Sequence, residues 1–185
     1  MTILLVTEIW GRTSHVEAMA DALRSVGNSV LIVDPYDGTD PGFVNEDEAY
    51  AEYLAACGHE EYARRVVQGL CEVEGPVSLL GFSAGAGAVW AAVTEVTGEA
   101  LSAFCFYGSS IRTMHDRTPR VPTYLVFPNY EKHFDVDEVI VQLQGKDRTQ
   151  CFKADGGHGF MNPMSENYSE NLHKLWFDWI LEKLS

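Results

Sequence analysis

The stretch Gly81-Phe82-Ser83-Ala84-Gly85 constrains this chain more than any other. It follows the apolar run Val77-Ser78-Leu79-Leu80 and precedes Ala86-Gly87-Ala88-Val89-Trp90-Ala91-Ala92-Val93. Strand, sharp turn, helix is the setting in which a G-x-S-x-G motif pushes a serine hydroxyl out of a strained turn at the top of a sheet. Glycine at both ends of the motif removes the Cβ atoms that would clash where strand and helix backbones pass closely.

Strand and helix signals alternate along the rest of the chain. Ile3 to Thr7 reads as a strand. Thr13-Ser14 offers an N-cap, and Val16, Met19, Ala20 and Leu23 recur at helical spacing up to Gly27. Val30 to Val33 is a second strand, followed by a Gly/Pro/Asp loop from Asp34 to Asn45. Glu46 to Cys71 reads as helix with an interruption near Gly58. Pro76 to Leu80 is the strand before the elbow, and Ala84 to Val96 the helix after it. Strands are expected at Leu101–Tyr107, Val121–Phe127 and Gln150–Lys153, with a helix at Asp135–Leu143. Ser165 to Leu184 closes the chain as an amphipathic helix, its inner face formed by Leu172, Leu175, Trp176, Trp179, Ile180 and Leu184. Such alternation predicts an α/β fold with a mostly parallel sheet covered by helices on both faces. Right-handed crossovers then gather every strand-to-helix loop at one edge, where sites form.

With 185 residues, no repeat and no linker composition, the chain is expected to form one domain over residues 1–185. Hydrophobic content of 46% and charged content of 22% are ordinary for a soluble globular protein. No apolar run reaches membrane-spanning length, and the start has no signal-peptide pattern, so a cytoplasmic location is expected. A net charge of −14 repels nucleic acid and anionic membrane surfaces. Cys57, Cys71, Cys105 and Cys151 are scattered without a CxxC pair, which suggests buried free thiols and neither a zinc site nor a disulfide framework. No metal or cofactor is called for, and a monomer or homodimer is expected.

A serine needs a general base, and the base an orienting acid, in the chain order Ser, acid, His. Of six histidines, His158 sits in Gly156-Gly157-His158-Gly159-Phe160, after the last strand and before the final helix. Glycines on both sides let the backbone carry the imidazole over the sheet edge. The acid belongs after the strand Val121–Phe127, where Glu131, Asp135 and Asp137 are candidates, Glu131 being nearest the strand end. Asp155, three residues from His158, is expected to shape the loop, and His133 to line the pocket or face solvent. An oxyanion would need two backbone amides, one from Ala84 and one from the loop Glu8-Ile9-Trp10-Gly11.

Together these segments resemble the dienelactone hydrolase family. Thr7-Glu8-Ile9-Trp10-Gly11 is similar to its Q-E-I-F-G stretch, Gly81 to Gly85 to its elbow, Phe106-Tyr107-Gly108 to its Y-Y-G, and Gly157-His158-Gly159-Phe160 to its histidine loop. The helix, strand and Asp34-Pro35-Tyr36 that follow the first segment also fit, so the resemblance runs over nearly the whole chain. It implies a small α/β-hydrolase fold without a large cap, and hydrolysis of esters or lactones through an acyl-enzyme. It implies a Ser83, Glu131, His158 triad, oxyanion amides from Ile9 and Ala84, and a role for Glu8 near the nucleophile.

Three departures shape the expected substrate. Ser83 replaces the cysteine of the family's best-known members, and Glu131 stands where aspartate is frequent. The arginines that bind a substrate carboxylate are not evident: Asn162 lies four residues after His158, no Lys or Arg occurs between Tyr36 and Ala63, and Arg112 is the nearby basic candidate. An uncharged small ester or lactone fits better, against a wall of Trp10, Tyr36, Tyr107, His133 and Phe160. Two other readings compete: a catalytically silent small-molecule-binding protein on the same fold, and a flavodoxin-like FMN carrier using the Gly11-Arg12-Thr13-Ser14 turn as a phosphate loop.

Overall fold

A computed structural model describes residues 1–95 and 100–184. Six strands form one parallel sheet: β1 (Thr2–Val6), β2 (Ser29–Val33), β3 (Val77–Phe82), β4 (Ala100–Phe106), β5 (Thr123–Pro128) and β6 (Thr149–Ala154). Their order across the sheet is β2-β1-β3-β4-β5-β6. The helices are α1 (Ser14–Ser25), α2 (Glu46–Ala56), α3 (Gly58–Glu72), α4 (Ala84–Glu95), α5 (Val136–Leu143) and α6 (Glu170–Leu184). A 3-10 turn, Ser109–Met114, follows β4.

Strand periodicity divides the core between the two faces of the sheet. Along β1, Leu4 and Val6 join one cluster with Leu79, Val89 and Trp90, while Ile3 and Leu5 join the other with Leu80, Phe82 and Phe104. The second cluster takes its helical residues from α1 (Val16, Met19, Leu23) and α6 (Ile180, Leu184). The first takes them from α2 to α5, with Tyr53, Tyr62, Trp90 and Val139 among them. Helix α4 lies deepest: each residue from Ala84 to Val93 is buried, which is why it is apolar all round and small on most sides.

The chain runs from β1 outward to β2 and then crosses back to β3 on the other side of β1. That reversal makes the carboxyl ends of β1 and β3 a topological switch point, the crevice where open α/β sheets bind ligands. The elbow leaves β3 and the Glu8–Gly11 loop leaves β1, so both flank it.

The expected architecture matches the observed one, with shifts of one or two residues at most strand ends. The break near Gly58 is real: Cys57 and Gly58 leave helical geometry, Gly58 at φ 68°, separating α2 from α3. Val96, expected to end the helix after the elbow, lies outside the described residues. The final helix starts later than expected, at Glu170 instead of Ser165. Residues Ser165 and Asn167 are spent on another task, since both side chains donate to the carbonyl of His158, at 3.0 and 3.1 Å. Leu175 is 60% exposed and does not belong to the inner face of α6. Among the described residues no helix is long and apolar enough to cross a membrane. All four cysteines are free thiols, but of these only Cys105 is buried as expected; Cys57 and Cys151 are half-buried, and Cys71, in the last turn of α3, is exposed.

Candidate active site

Ser83 occupies the turn between β3 and α4 with φ at 51°, a left-handed conformation that a residue with a side chain adopts only under constraint. Hydrogen bonds and close backbone approach supply it. The Ser83 amide donates to the Phe106 carbonyl at 2.9 Å, and the Ser83 carbonyl accepts from the Gly87 amide at 3.2 Å to open α4. A Cβ on Gly81 would stand 2.7 Å from the Gly85 carbonyl oxygen, and one on Gly85 would run into the carbonyls of Val6 and Thr7. Only glycine lets the elbow seat so closely on the end of β1.

His158 reaches the serine from the loop after β6. Its Nε2 is 2.9 Å from Ser83 Oγ, and its Nδ1 donates to Glu131 Oε1 at 2.7 Å. Besides the bonds from Ser165 and Asn167 to its carbonyl, its ring meets the Tyr107 ring edge-to-face, centroids 5.2 Å apart. Burial alone would lower the imidazole pKa. The hydrogen bond and charge of Glu131 oppose it, with Glu8 and Glu46 adding to them, and the net result lies above the ordinary histidine value.

Glu131 lies in the loop after β5, its side chain nearly buried against His158. The rival acids are occupied elsewhere. Asp135 caps α5, its Oδ1 accepting from the amides of Asp137 and Glu138 at 2.8 and 3.3 Å. Asp137 pairs with Lys153 at 2.6 Å, and Asp155 accepts from Asn129 Nδ2 at 2.8 Å, which shapes the loop as expected. The structure thus brings Ser83, His158 and Glu131 into one hydrogen-bonded chain and leaves the other carboxylates out of it.

The two expected oxyanion amides sit on adjoining segments. Ala84 is the first residue of α4, where an amide has no carbonyl one turn back within the helix. Ile9 is in the loop after β1, whose Thr7 carbonyl touches the elbow at Gly85. The backbone at Ile9 is held on its C-terminal side: its carbonyl accepts from Tyr36 Oη at 2.7 Å. The same hydroxyl stands 3.4 Å from the Ala49 carbonyl of α2, and the Tyr36 ring fills the space that a Cβ on Gly11 would need. Tyr36, expected in the pocket wall, is half-buried; its hydroxyl is committed to the backbone, and burial pushes its pKa up.

Two of the expected wall residues are corrected. Tyr107 and Phe160 are both wholly buried and pack on each other and on the core beneath His158. Aromatic size drives them inside, and the Tyr107 hydroxyl finds its partner there. That partner is Glu8, whose Oε1 accepts from Tyr107 Oη at 2.7 Å and whose Oε2 accepts from Asn162 Nδ2 at 2.6 Å. Burial raises the pKa of Glu8, while the two hydrogen bonds and the nearby His158 pull it back. Tyr107 itself sits at φ 40°, a second left-handed residue in the site. Trp10 is half-buried and, with Glu8, Asn162 and Phe82, lines a small cavity beside the site. His133 is exposed on the acid loop. Arg112 faces the acid loop too, its guanidinium 5.1 Å above the Phe134 ring and its Nη1 donating to the Ser109 carbonyl at 2.6 Å.

Sequence reasoning missed Ser109, whose Oγ donates to Glu131 Oε1 at 3.0 Å. The signal available was position alone: it follows Tyr107-Gly108 directly after a strand end at the loop-bearing edge. A cavity of about 430 Å³ lies away from all of this, along edge strand β2 and α3, lined by Arg12, Asp34, Arg64 and Arg65 among others. The Arg12 side chain pairs there with Glu17. Among the described residues no group of three His, Cys, Asp or Glu side chains gathers as a metal site would require.

The chain is 30% identical over 184 residues to the uncharacterized protein YczH of Bacillus subtilis, an alignment spanning 92% of this chain and 85% of that protein. It belongs to the YczH family, on the dienelactone hydrolase fold. A candidate dienelactone hydrolase from Klebsiella pneumoniae superposes with a TM-score of 0.78 at 14% identity, over 98% of this chain and 85% of that one. The dienelactone hydrolase from Anabaena variabilis superposes with a TM-score of 0.65 at 16% identity, over 98% and 85%. No family model matches the sequence. At such identities the superpositions carry the fold, and the chemistry rests on the residues of the site.

Proposed function

We propose that this protein is a serine hydrolase that cleaves small, uncharged carboxylic esters or lactones through an acyl-enzyme on Ser83. One observation carries the reading: a serine on a left-handed elbow, 2.9 Å from an imidazole that is itself 2.7 Å from a carboxylate. Hydroxyl, base and orienting acid in that order form the working unit of acyl transfer.

As Ser83 Oγ adds to the substrate carbonyl, its proton passes to His158 Nε2. Glu131 holds the Nδ1–H and stabilises the imidazolium without taking the proton. The amides of Ile9 and Ala84 receive the negative oxygen, a contribution worth about 2.7–4 kcal/mol for each donor in related sites. The C–O bond to the leaving group breaks, and the alkoxide takes the proton from Nε2. Water then enters, gives a proton to Nε2 and adds to the acyl carbon. Collapse frees the carboxylic acid and returns the proton to Ser83.

The preference for uncharged substrates rests on the charges around the site. Glu8, Glu46 and Glu131 all act on His158, and the side chain four residues after it is the neutral Asn162, already bound to Glu8. An anionic acyl group would meet net negative charge.

The test is hydrolysis of a panel of short-chain neutral, cationic and anionic esters by wild type and Ser83→Ala. Turnover of neutral esters that falls by about 10³-fold or more in the variant supports the proposal. Equal turnover by both proteins, or a preference for anionic esters, contradicts it.

A further inference from the structure

Ser109 is the first residue of the 3-10 turn after β4, on the edge of the sheet that carries the site. Its hydroxyl donates to Glu131 Oε1 at 3.0 Å and stands 3.4 Å from His158 Nδ1. The same Oε1 accepts the imidazole N–H at 2.7 Å, so two donors from two loops converge on one carboxylate oxygen. The backbone behind Ser109 is fixed as well. Arg112 Nη1 donates to its carbonyl at 2.6 Å, and the Arg112 guanidinium lies over Phe134, three residues beyond Glu131. Arg112 therefore ties the turn that carries Ser109 to the loop that carries the acid.

We propose that Ser109 is a positioning residue that acts on His158 through Glu131, an inference that rests on the triad proposed above. A carboxylate with one donor can swing or exchange its oxygens. A second donor on Oε1 holds that oxygen toward Nδ1 and limits the loop's freedom to turn away. The second hydrogen bond also draws charge from Oε1, which weakens its stabilisation of the imidazolium and lowers the proton affinity of the ring. Ser109 thereby keeps His158 neutral over a wider range of pH, able to accept the Ser83 proton, while the ring stays oriented.

Two readouts on wild type, Ser109→Ala and Ser109→Thr test this. One is the titration of the His158 ring followed by NMR, which does not depend on turnover. The other is the rate of labelling of Ser83 by a fluorophosphonate at pH 7. Loss of one hydrogen bond to a charged group predicts an upward shift of the His158 titration and labelling slower by about three- to tenfold in Ser109→Ala. Ser109→Thr keeps the hydroxyl and restores both. An unchanged or lowered His158 titration in Ser109→Ala overturns the proposal, as does a Thr variant that behaves like Ala. Absence of labelling in the wild type overturns the nucleophile reading of Ser83 separately, and the His158 titration still decides the role of Ser109.

Discussion

The hydroxyl of Tyr36 donates to the carbonyl of Ile9 at 2.7 Å, across 27 positions of sequence. That one bond holds the carbonyl of the residue whose amide is the proposed oxyanion donor, and the contact with the Ala49 carbonyl extends the brace to α2. Tyr36→Phe removes the brace and keeps the ring that packs on Gly11. The expected result is a fall in kcat of about 10- to 100-fold with KM little changed, since part of one oxyanion donor's contribution is lost. Stability should fall by only about 1 kcal/mol. Steady-state kinetics beside thermal unfolding check both.

Turnover should depend on pH through His158. Its pKa lies above the ordinary 6.5, so the ring is protonated, and unable to accept the serine proton, up to a higher pH than a free histidine would be. The acid limb of kcat/KM is expected to have its midpoint above 6.5. Glu131→Gln removes the charge that raises it, so the limb moves to lower pH while kcat drops by about 10²–10⁴-fold. The same shift links to folding: the His158–Glu131 pair stabilises the fold fully below the unfolded histidine pKa and loses that contribution as pH rises through the folded one.

Tyr107→Phe leaves the buried Glu8 carboxylate with Asn162 alone. Removing a hydrogen bond to a buried charged group is expected to cost about 1–3 kcal/mol. Burial already raises the Glu8 pKa, so its contribution to stability is complete below the unfolded value and is lost as pH rises through the folded one. The variant extends that loss, because less now holds the ionised form. Urea unfolding at two pH values checks this: the penalty should be small where Glu8 is protonated in both states and larger near neutrality.

Gly85→Ala drives a methyl group into the Val6 and Thr7 carbonyls at the end of β1. Backbone cannot retreat as a flexible side chain can, so a loss of about 1–3 kcal/mol or more is expected, together with displacement of Ser83. Chemical denaturation and fluorophosphonate labelling report the two effects.

Much of this was legible in the sequence because the physics there is local. The elbow needs small residues at fixed offsets around Ser83, and a late histidine flanked by glycines has few other uses. The alternation of apolar runs predicted the sheet, since each strand must pair and each helix must cover it. The acid was less legible. Glu131, Asp135 and Asp137 lie within seven residues, and only folding shows that Asp135 serves the amides of α5 and Asp137 serves Lys153. The pocket wall was misjudged at Tyr107 and Phe160, and the backbone task of the Tyr36 hydroxyl went unseen, for a related reason. An aromatic residue near a motif can face the crevice or support it from below, and the choice depends on partners distant in sequence: Ile9 for Tyr36, Glu8 for Tyr107. Ser109 was invisible because one hydroxyl at a strand end has no pattern, and its significance comes from a loop 22 residues away.

The most direct test of the central claim is the intact mass of the protein after exposure to a fluorophosphonate, on wild type and Ser83→Ala. An activated Ser83, with His158 Nε2 at 2.9 Å to take its proton, predicts one stoichiometric adduct on the wild type and none on the variant. A folded wild type that takes no adduct, or a variant that takes the same one, would contradict it.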